Sequence, residues 1–195
     1  MAIPNADEQD RSAMQRLANG EDSALEELMS RHSERLFHYL LRVLQNETRA
    51  ADLAEEAFVK VYQNRVRFKP VYRFATWLYT IATNLARDFQ RYQTRHPQLS
   101  LDGKPEGGAA DFRETLAESG PNPGETLESF ERAEAVRRAV GSLSEELRSP
   151  LVLSVYEEKS HAEIAEILQC SPKAVEMRIY RARAELRIVL ERVLV

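Results

Sequence analysis

The sequence predicts an all-α protein made of two small helical domains joined by a flexible acidic linker. Three observations carry that expectation. Apolar residues between 24 and 92, and again beyond 131, recur at the three- and four-residue spacing of helices that bury one side. Between residues 96 and 124 that rhythm stops, and Pro97, Pro105, Pro121 and Pro123 stand among five glycines. Residues 144–195 then carry the punctuation of a helix-turn-helix. The expected boundaries are an N-terminal extension at 1–23, a first helical domain at 24–95, the linker at 96–130 and a second helical domain at 131–195.

Composition narrows the setting. The 195 residues are 43% hydrophobic, and the N-terminus lacks the basic segment and apolar run of an export signal. No stretch approaches the about 18 consecutive apolar residues of a membrane span, so no membrane insertion is expected. Cys170 is the lone cysteine, which leaves no internal disulfide and suits a reducing cytoplasm; its expected role is that of a small buried residue. The net charge of −4 conceals a strong polarity along the chain. Residues 1–30 hold two arginines against seven acids, residues 31–95 twelve cations against six acids, and residues 96–130 two cations against seven acids. A phosphate meets the local field rather than the sum, so overall acidity does not exclude nucleic acid.

The first domain reads as three helices. Leu25, Leu28, Leu36, Phe37, Leu40, Leu41 and Leu44 face inward on a helix over 24–45. Leu53, Ala57, Phe58 and Val61 do so over 48–63, and a third helix runs from 74 to 92 after the break at Lys69-Pro70. Residues 1–20 are expected to be disordered. In the second domain Ser144 caps a helix that opens with Glu145 and Glu146, acids favoured by the helix dipole. Ser160 and Glu163 form a capping box for a short helix with Ile164, Ala165 and Leu168 inward. Ser171 caps the last helix and Pro172 takes its first position.

Two helices carry the candidate chemistry. At about 100° per residue, Phe74, Leu78, Ile81, Leu85 and Phe89 form one stripe of the third helix. Opposite them stand Thr76, Thr80, Thr83, Asn84, Arg87 and Arg91, with Arg73 just before. Small hydroxyls, an amide and arginines on one side suit approach to a nucleic-acid backbone and the reading of base edges. Seven of the fifteen aromatics lie between Phe68 and Tyr92, where rings can stack on unpaired bases; Trp77 and Tyr79, off the stripe, are open to either a packing or a binding role. On the last helix Val175, Ile179, Ala182 and Leu186 face inward, and Lys173, Met177, Tyr180 and Arg181 face out, flanked by Glu176 and Arg178.

These residues carry a resemblance. Residues 52–62 (DLAEEAFVKVY) followed by 74–88 (FATWLYTIATNLARD) resemble region 2 of a bacterial RNA polymerase sigma factor, of the extracytoplasmic-function (ECF) class that keeps only regions 2 and 4. Residues 171–183 (SPKAVEMRIYRAR) resemble region 4 of the same group. The resemblance implies that Asp52, Glu55, Glu56, Phe58, Lys60 and Gln63 contact the clamp of core RNA polymerase, although the group usually has Gln where this chain has Glu55. It implies that Arg73, Thr76, Trp77, Thr80, Thr83, Asn84, Arg87 and Arg91 melt and read the −10 element, with one base flipped out of the stack. It implies that Ser171, Lys173, Glu176, Met177, Arg178, Tyr180 and Arg181 enter the major groove of the −35 element, where Glu176 and Met177 depart from the basic and small polar residues many members carry. An anti-sigma protein is implied as a further partner, and the acidic linker is expected to occupy the RNA path of the polymerase.

No catalytic or metal site competes. His32, His38, His96 and His161 are dispersed, there is no glycine-rich phosphate loop, and the adjacent pairs Glu55-Glu56 and Glu157-Glu158 do not face one another as acid and base. Neither a cofactor nor a small-molecule substrate is expected, and the chain is not expected to be an enzyme. The alternative is a helix-turn-helix regulator that binds duplex DNA as a dimer, with residues 1–93 as a sensing or dimerization domain.

Overall fold

A computed structural model of the chain describes residues 5–96 and 123–193, all of whose regular structure is helical. The helices are α1 (Ala6–Ala18), α2 (Ser23–Leu44), α3 (Glu47–Gln63), α4 (Phe74–Arg95), α5 (Pro123–Ser142), α6 (Glu145–Val155), α7 (His161–Leu168) and α8 (Pro172–Val193), with a short 3-10 turn at Arg65–Arg67. The expected linker falls mostly on residues 97–122, which lie outside the described residues. Within the remainder of the expected linker, α5 begins at Pro123. None of the described helices is long and apolar enough to cross a membrane.

The N-terminal extension is the largest correction. Residues 6–18 are helical, and Ala13, Met14 and Leu17 are buried against α2. Only three apolar side chains anchor α1, so its pattern is too sparse to stand out among the acids around it. What seals it is polar. Asp10, buried on α1, accepts from Arg31 Nε at 2.9 Å and lies 2.7 Å from His32 Nε2 on α2. Burial pushes this carboxyl up, but the bonds and charges of His32 and Arg31 outweigh it and hold it below its ordinary value.

α2 is the centre of the first domain and touches α1, α3 and α4. Of its expected inward stripe, Leu28, Leu36 and Leu40 are fully buried with Ala24, Tyr39 and Val43, while Leu25, Phe37, Leu41 and Leu44 pack at the margin. Asn46 caps α3 by accepting from the Arg49 backbone N–H at 2.9 Å. In the second domain the Ser160–Glu163 capping box forms as expected, with Ser160 N donating to Glu163 at 2.9 Å and Glu163 N to Ser160 at 3.3 Å. Ser171 Oγ accepts from Ala174 N at 3.1 Å. Ser144 occupies the N-cap of α6 with an extended backbone, yet its side chain makes no capping bond. Val175, Ile179 and Ala182 of α8 are buried as expected, and half-buried Cys170 packs on the same core.

The two domains touch. α2 packs on α5 and α6, α4 packs on α7, and buried side chains from both domains belong to one continuous apolar cluster.

Candidate polymerase and nucleic-acid surfaces

On α3, Asp52, Glu55, Glu56 and Gln63 are exposed and Lys60 is partly so, because the helix spends its other side on Leu53, Ala54, Ala57, Phe58 and Val61. The acids are only loosely engaged: Asp52 accepts from Arg49 at 3.2 Å, and Lys60 stands 3.4 Å from Glu56. Exposed ion pairs of this kind hold side chains weakly and leave them available to a partner. Phe58 is corrected. It is 3% exposed and serves the core, as its place on the buried stripe requires. Val59, which the sequence reading passed over, is 51% exposed among the acids and supplies the apolar element of this surface.

On α4 the expected open side is largely closed. Thr76 and Thr83 are buried, and Thr83 Oγ1 meets the Tyr39 hydroxyl at 2.8 Å. Burial pushes the Tyr39 hydroxyl up to about 12, so it stays a neutral hydrogen-bonding group. Thr80 is half-buried and donates to the Thr76 carbonyl at 2.8 Å. Trp77 is half-buried, with its ring centroid 5.2 Å from Phe68 and 6.3 Å from Phe74, so it is packing rather than free to stack on a base. These placements correct the assignment of Thr76, Trp77 and Thr83 to an exposed surface. The periodicity misleads because α4 is packed on two sides. Of the expected stripe, Phe74 and Leu78 are buried while Ile81, Leu85 and Phe89 lie at the margin of the core, and small Ala82 and Ala86 beside it are fully covered.

Of the residues expected on the open side, α4 exposes Asn84 and Arg91, the latter 3.6 Å from Asp88. Arg87, Gln90, Arg91, Thr94 and Arg95 line an open cleft of about 360 Å³ that Glu145 closes on one side. Arg87 Nε donates to Glu145 at 3.1 Å, and Arg73 bridges Asp7 at 3.1 Å and Glu163 at 2.8 Å. The loop before α4 leaves Val66, Val71 and Tyr72 exposed beside Arg67 and Lys69. Exposed apolar side chains among cations are a signal the sequence could have yielded for a surface that meets unstacked bases.

α8 stands open. Ser171, Lys173, Glu176, Met177, Tyr180 and Arg181 are all exposed, with Tyr180 at 69%. Lys173 donates to Glu176 at 2.9 Å and holds that carboxyl below its ordinary value. Arg178 is the exception. It turns back to Glu146 at 2.7 Å and to the Cys170 sulfur at 3.7 Å, away from the open side. Among the described residues no group of three His, Cys, Asp or Glu side chains is placed to hold a metal.

An acidic helix face, a cationic α4 with its exposed loop and a helix-turn-helix are the surfaces of a protein that meets other macromolecules. Comparison with known families gives that class its name: Sigma-70 region 2 matches residues 28–96, and Sigma-70 region 4 matches residues 133–186. The chain is 30% identical over 179 residues to the ECF RNA polymerase sigma factor SigW of Bacillus subtilis, covering 91% of this chain and 94% of that one. It is 33% identical over 177 residues to the RNA polymerase sigma factor CarQ of Myxococcus xanthus, covering 91% and 95%. Among solved structures, CnrH in complex with the cytosolic domain of CnrY superposes with a TM-score of 0.68 at 27% identity, covering 94% of this chain and 97% of that one. The chain belongs to the ECF class of bacterial RNA polymerase sigma factors. It binds core RNA polymerase and directs promoter-specific initiation of transcription.

Proposed function

We propose a division of that work among the three surfaces. The exposed acids of α3, with Val59 between them, dock on the polymerase clamp. Asn84, Arg87 and Arg91 of α4, with Arg73 and the loop 66–72, take the single strand and phosphates of the −10 element. Lys173, Glu176, Met177, Tyr180 and Arg181 of α8 enter the −35 major groove, with Ser171 at its mouth. The observation that carries the reading is the exposure of these α8 residues over a buried Val175, Ile179 and Ala182, which fixes which side of the helix is presented. Arg178 acts from the rear by tying α8 to α6.

The chain contributes binding and melting, and bond formation belongs to the polymerase, so the protein is not itself an enzyme. Its place of action is the cytoplasm, where promoter DNA lies. CnrH is solved with the cytosolic domain of another protein, and by that likeness a protein inhibitor of the anti-sigma kind is proposed here as well. Run-off transcription with purified core polymerase and a pool of promoter-like templates tests the whole reading. A discrete start site that depends on this chain is the expected result. No specific start, together with dimeric binding of palindromic duplex by the chain alone, would transfer the reading to a helix-turn-helix regulator.

A further inference from the structure

We propose that the second domain is the resident occupant of the first domain's −10 surface, and that three of its glutamates, Glu145, Glu157 and Glu163, hold the free chain closed by standing in for promoter phosphates. The proposal rests on the promoter reading of α4 given above and adds a regulation that the reading does not require.

Each of the three acids is on the second domain, and each finds its partner on the first. Glu145 accepts from Arg87 at 3.1 Å and Glu163 from Arg73 at 2.8 Å, two of the three arginines proposed for the −10 element. A carboxylate and a phosphodiester offer a guanidinium the same anionic oxygens, so one arginine serves either in turn. Glu157 goes deeper. It is only 4% exposed, where the Tyr79 hydroxyl donates to it at 2.5 Å and Arg35 Nε lies at 3.5 Å. A buried carboxylate is costly unless bonded, and both of these partners belong to the first domain. Its burial is therefore a property of the docked pair. From the other side, the phenol of Tyr79 is itself buried, and desolvation followed by the Glu157 charge pushes its hydroxyl far up, which keeps it a donor.

The turn at 156–159 is shaped for this insertion. Arg42 stacks over the Tyr156 ring at 4.3 Å, Lys159 lies 5.4 Å from the Tyr79 ring centroid, and Glu158 between them takes φ of 51°. A non-glycine residue in the left-handed region is uncommon and persists where its surroundings hold it. Behind the turn, Arg148 reaches across the seam to the Val43 carbonyl at 2.6 Å while its other nitrogen is bonded to the Gly141 and Leu143 carbonyls. Beside the apolar cluster that the two domains share, the −10 side of the seam thus carries polar and charged contacts, the kind that open when a competing partner supplies equivalent bonds. Among the described residues α8 packs on α5, α6 and α7 of its own domain, so −35 recognition stays available while −10 recognition is withheld.

The test uses the free full-length chain and its E145Q/E157Q/E163Q variant. The variant keeps side-chain size and places at position 163 an amide that can still complete the capping box with Ser160. Small-angle scattering gives the radius of gyration. Binding of a single-stranded oligonucleotide carrying the −10 sequence found by run-off gives the affinity. The variant is expected to expand and to bind the strand about tenfold more tightly, the factor by which a binding-competent form populated at about one-tenth weakens apparent affinity. Arg35→Gln, which removes an exposed partner of Glu157 and touches none of the proposed DNA contacts, is expected to move both readouts in the same direction. Tighter binding without expansion would reduce the effect to relief of charge repulsion and overturn the closure, as would unchanged size and affinity. Run-off is measured with core polymerase present, so a failed sigma reading shows there, whereas a failed closure shows here with run-off intact.

Discussion

α4 and α8 are both 22-residue helices that carry several arginines, yet their surroundings are opposite. α4 lays Thr76, Tyr79 and Thr83 against other parts of the chain and ties Arg73 and Arg87 to glutamates of the second domain. α8 buries a narrow apolar stripe and leaves Tyr180, Arg181 and Met177 in solvent. A polar side chain on the covered side of α4 therefore contributes to folding, while an exposed one on α8, Arg178 apart, is free of the rest of the fold. The same substitution should give different signatures on the two helices, and that difference can be measured.

The largest contrast is between two tyrosines. Tyr79→Ala removes a buried ring, its bond to Glu157 and its edge contact with Tyr39 at 5.1 Å, and should cost about 3 kcal/mol in chemical denaturation. Tyr180→Ala, on a side chain that is 69% exposed, should stay within about 0.5 kcal/mol of wild type. Equal losses at the two sites would erase the distinction between the helices.

That distinction was only half legible in the sequence. α8 was readable because everything that shapes it is local: Ser171 at the cap, Pro172 at the first position, and an apolar stripe that matches the buried residues. α4 was readable as a helix but not as a surface. Its expected stripe is buried at Phe74 and Leu78 but only half-buried at Ile81, Leu85 and Phe89, whereas small Ala82, Thr83 and Ala86 beside it allow close approach of neighbouring helices and are buried. Periodicity reports which residues share a side; what covers that side depends on contacts tens of residues away, here on Tyr39 and Glu157. α1 was missed for a related reason. Asp10 looked like one more acid of a solvated tail, and only Arg31 and His32 on another helix make it structural. Its one local signal was Asn5 followed by Glu8, whose carboxylate accepts from the Asn5 backbone N–H at 3.4 Å. Phe58 shows the reverse error, in which resemblance put on the surface a residue that spacing had already placed in the core.

Asp10 sharpens the comparison because it supports α4 from behind: its partner His32 packs edge-on against Phe74, the first residue of α4, at 5.2 Å. Its carboxyl sits below the ordinary value of 3.8 in the folded chain, so its contribution is present above that pH and is lost as pH falls through the lower folded value. Asp10→Asn should therefore cost about 2 kcal/mol at neutral pH, the penalty of leaving buried donors without their acceptor. The gap to wild type should close in acid, below pH 3.8. A gap independent of pH would show that the carboxylate charge is not what holds α1 in place.

The smallest effect in stability is the most informative about recognition. Arg181 and Glu176 are both exposed on α8, and Glu176 is held only by Lys173 at 2.9 Å. Arg181→Ala should leave the melting temperature unchanged and lower run-off from a promoter with both elements about tenfold, the loss expected for one phosphate or base contact. On a template whose −35 element is scrambled, a base contact makes the two chains equal, whereas a phosphate contact, which carries no sequence information, leaves the difference in place. Glu176→Gln should act differently again. It keeps the reach of the side chain, replaces an acceptor-only carboxylate with an amide that also donates, and so should alter which base is preferred at one −35 position without lowering the best achievable output. A uniform loss on every −35 sequence would instead make Glu176 a spacer for Lys173. In that case base reading on α8 would pass to Met177, Tyr180 and Arg181.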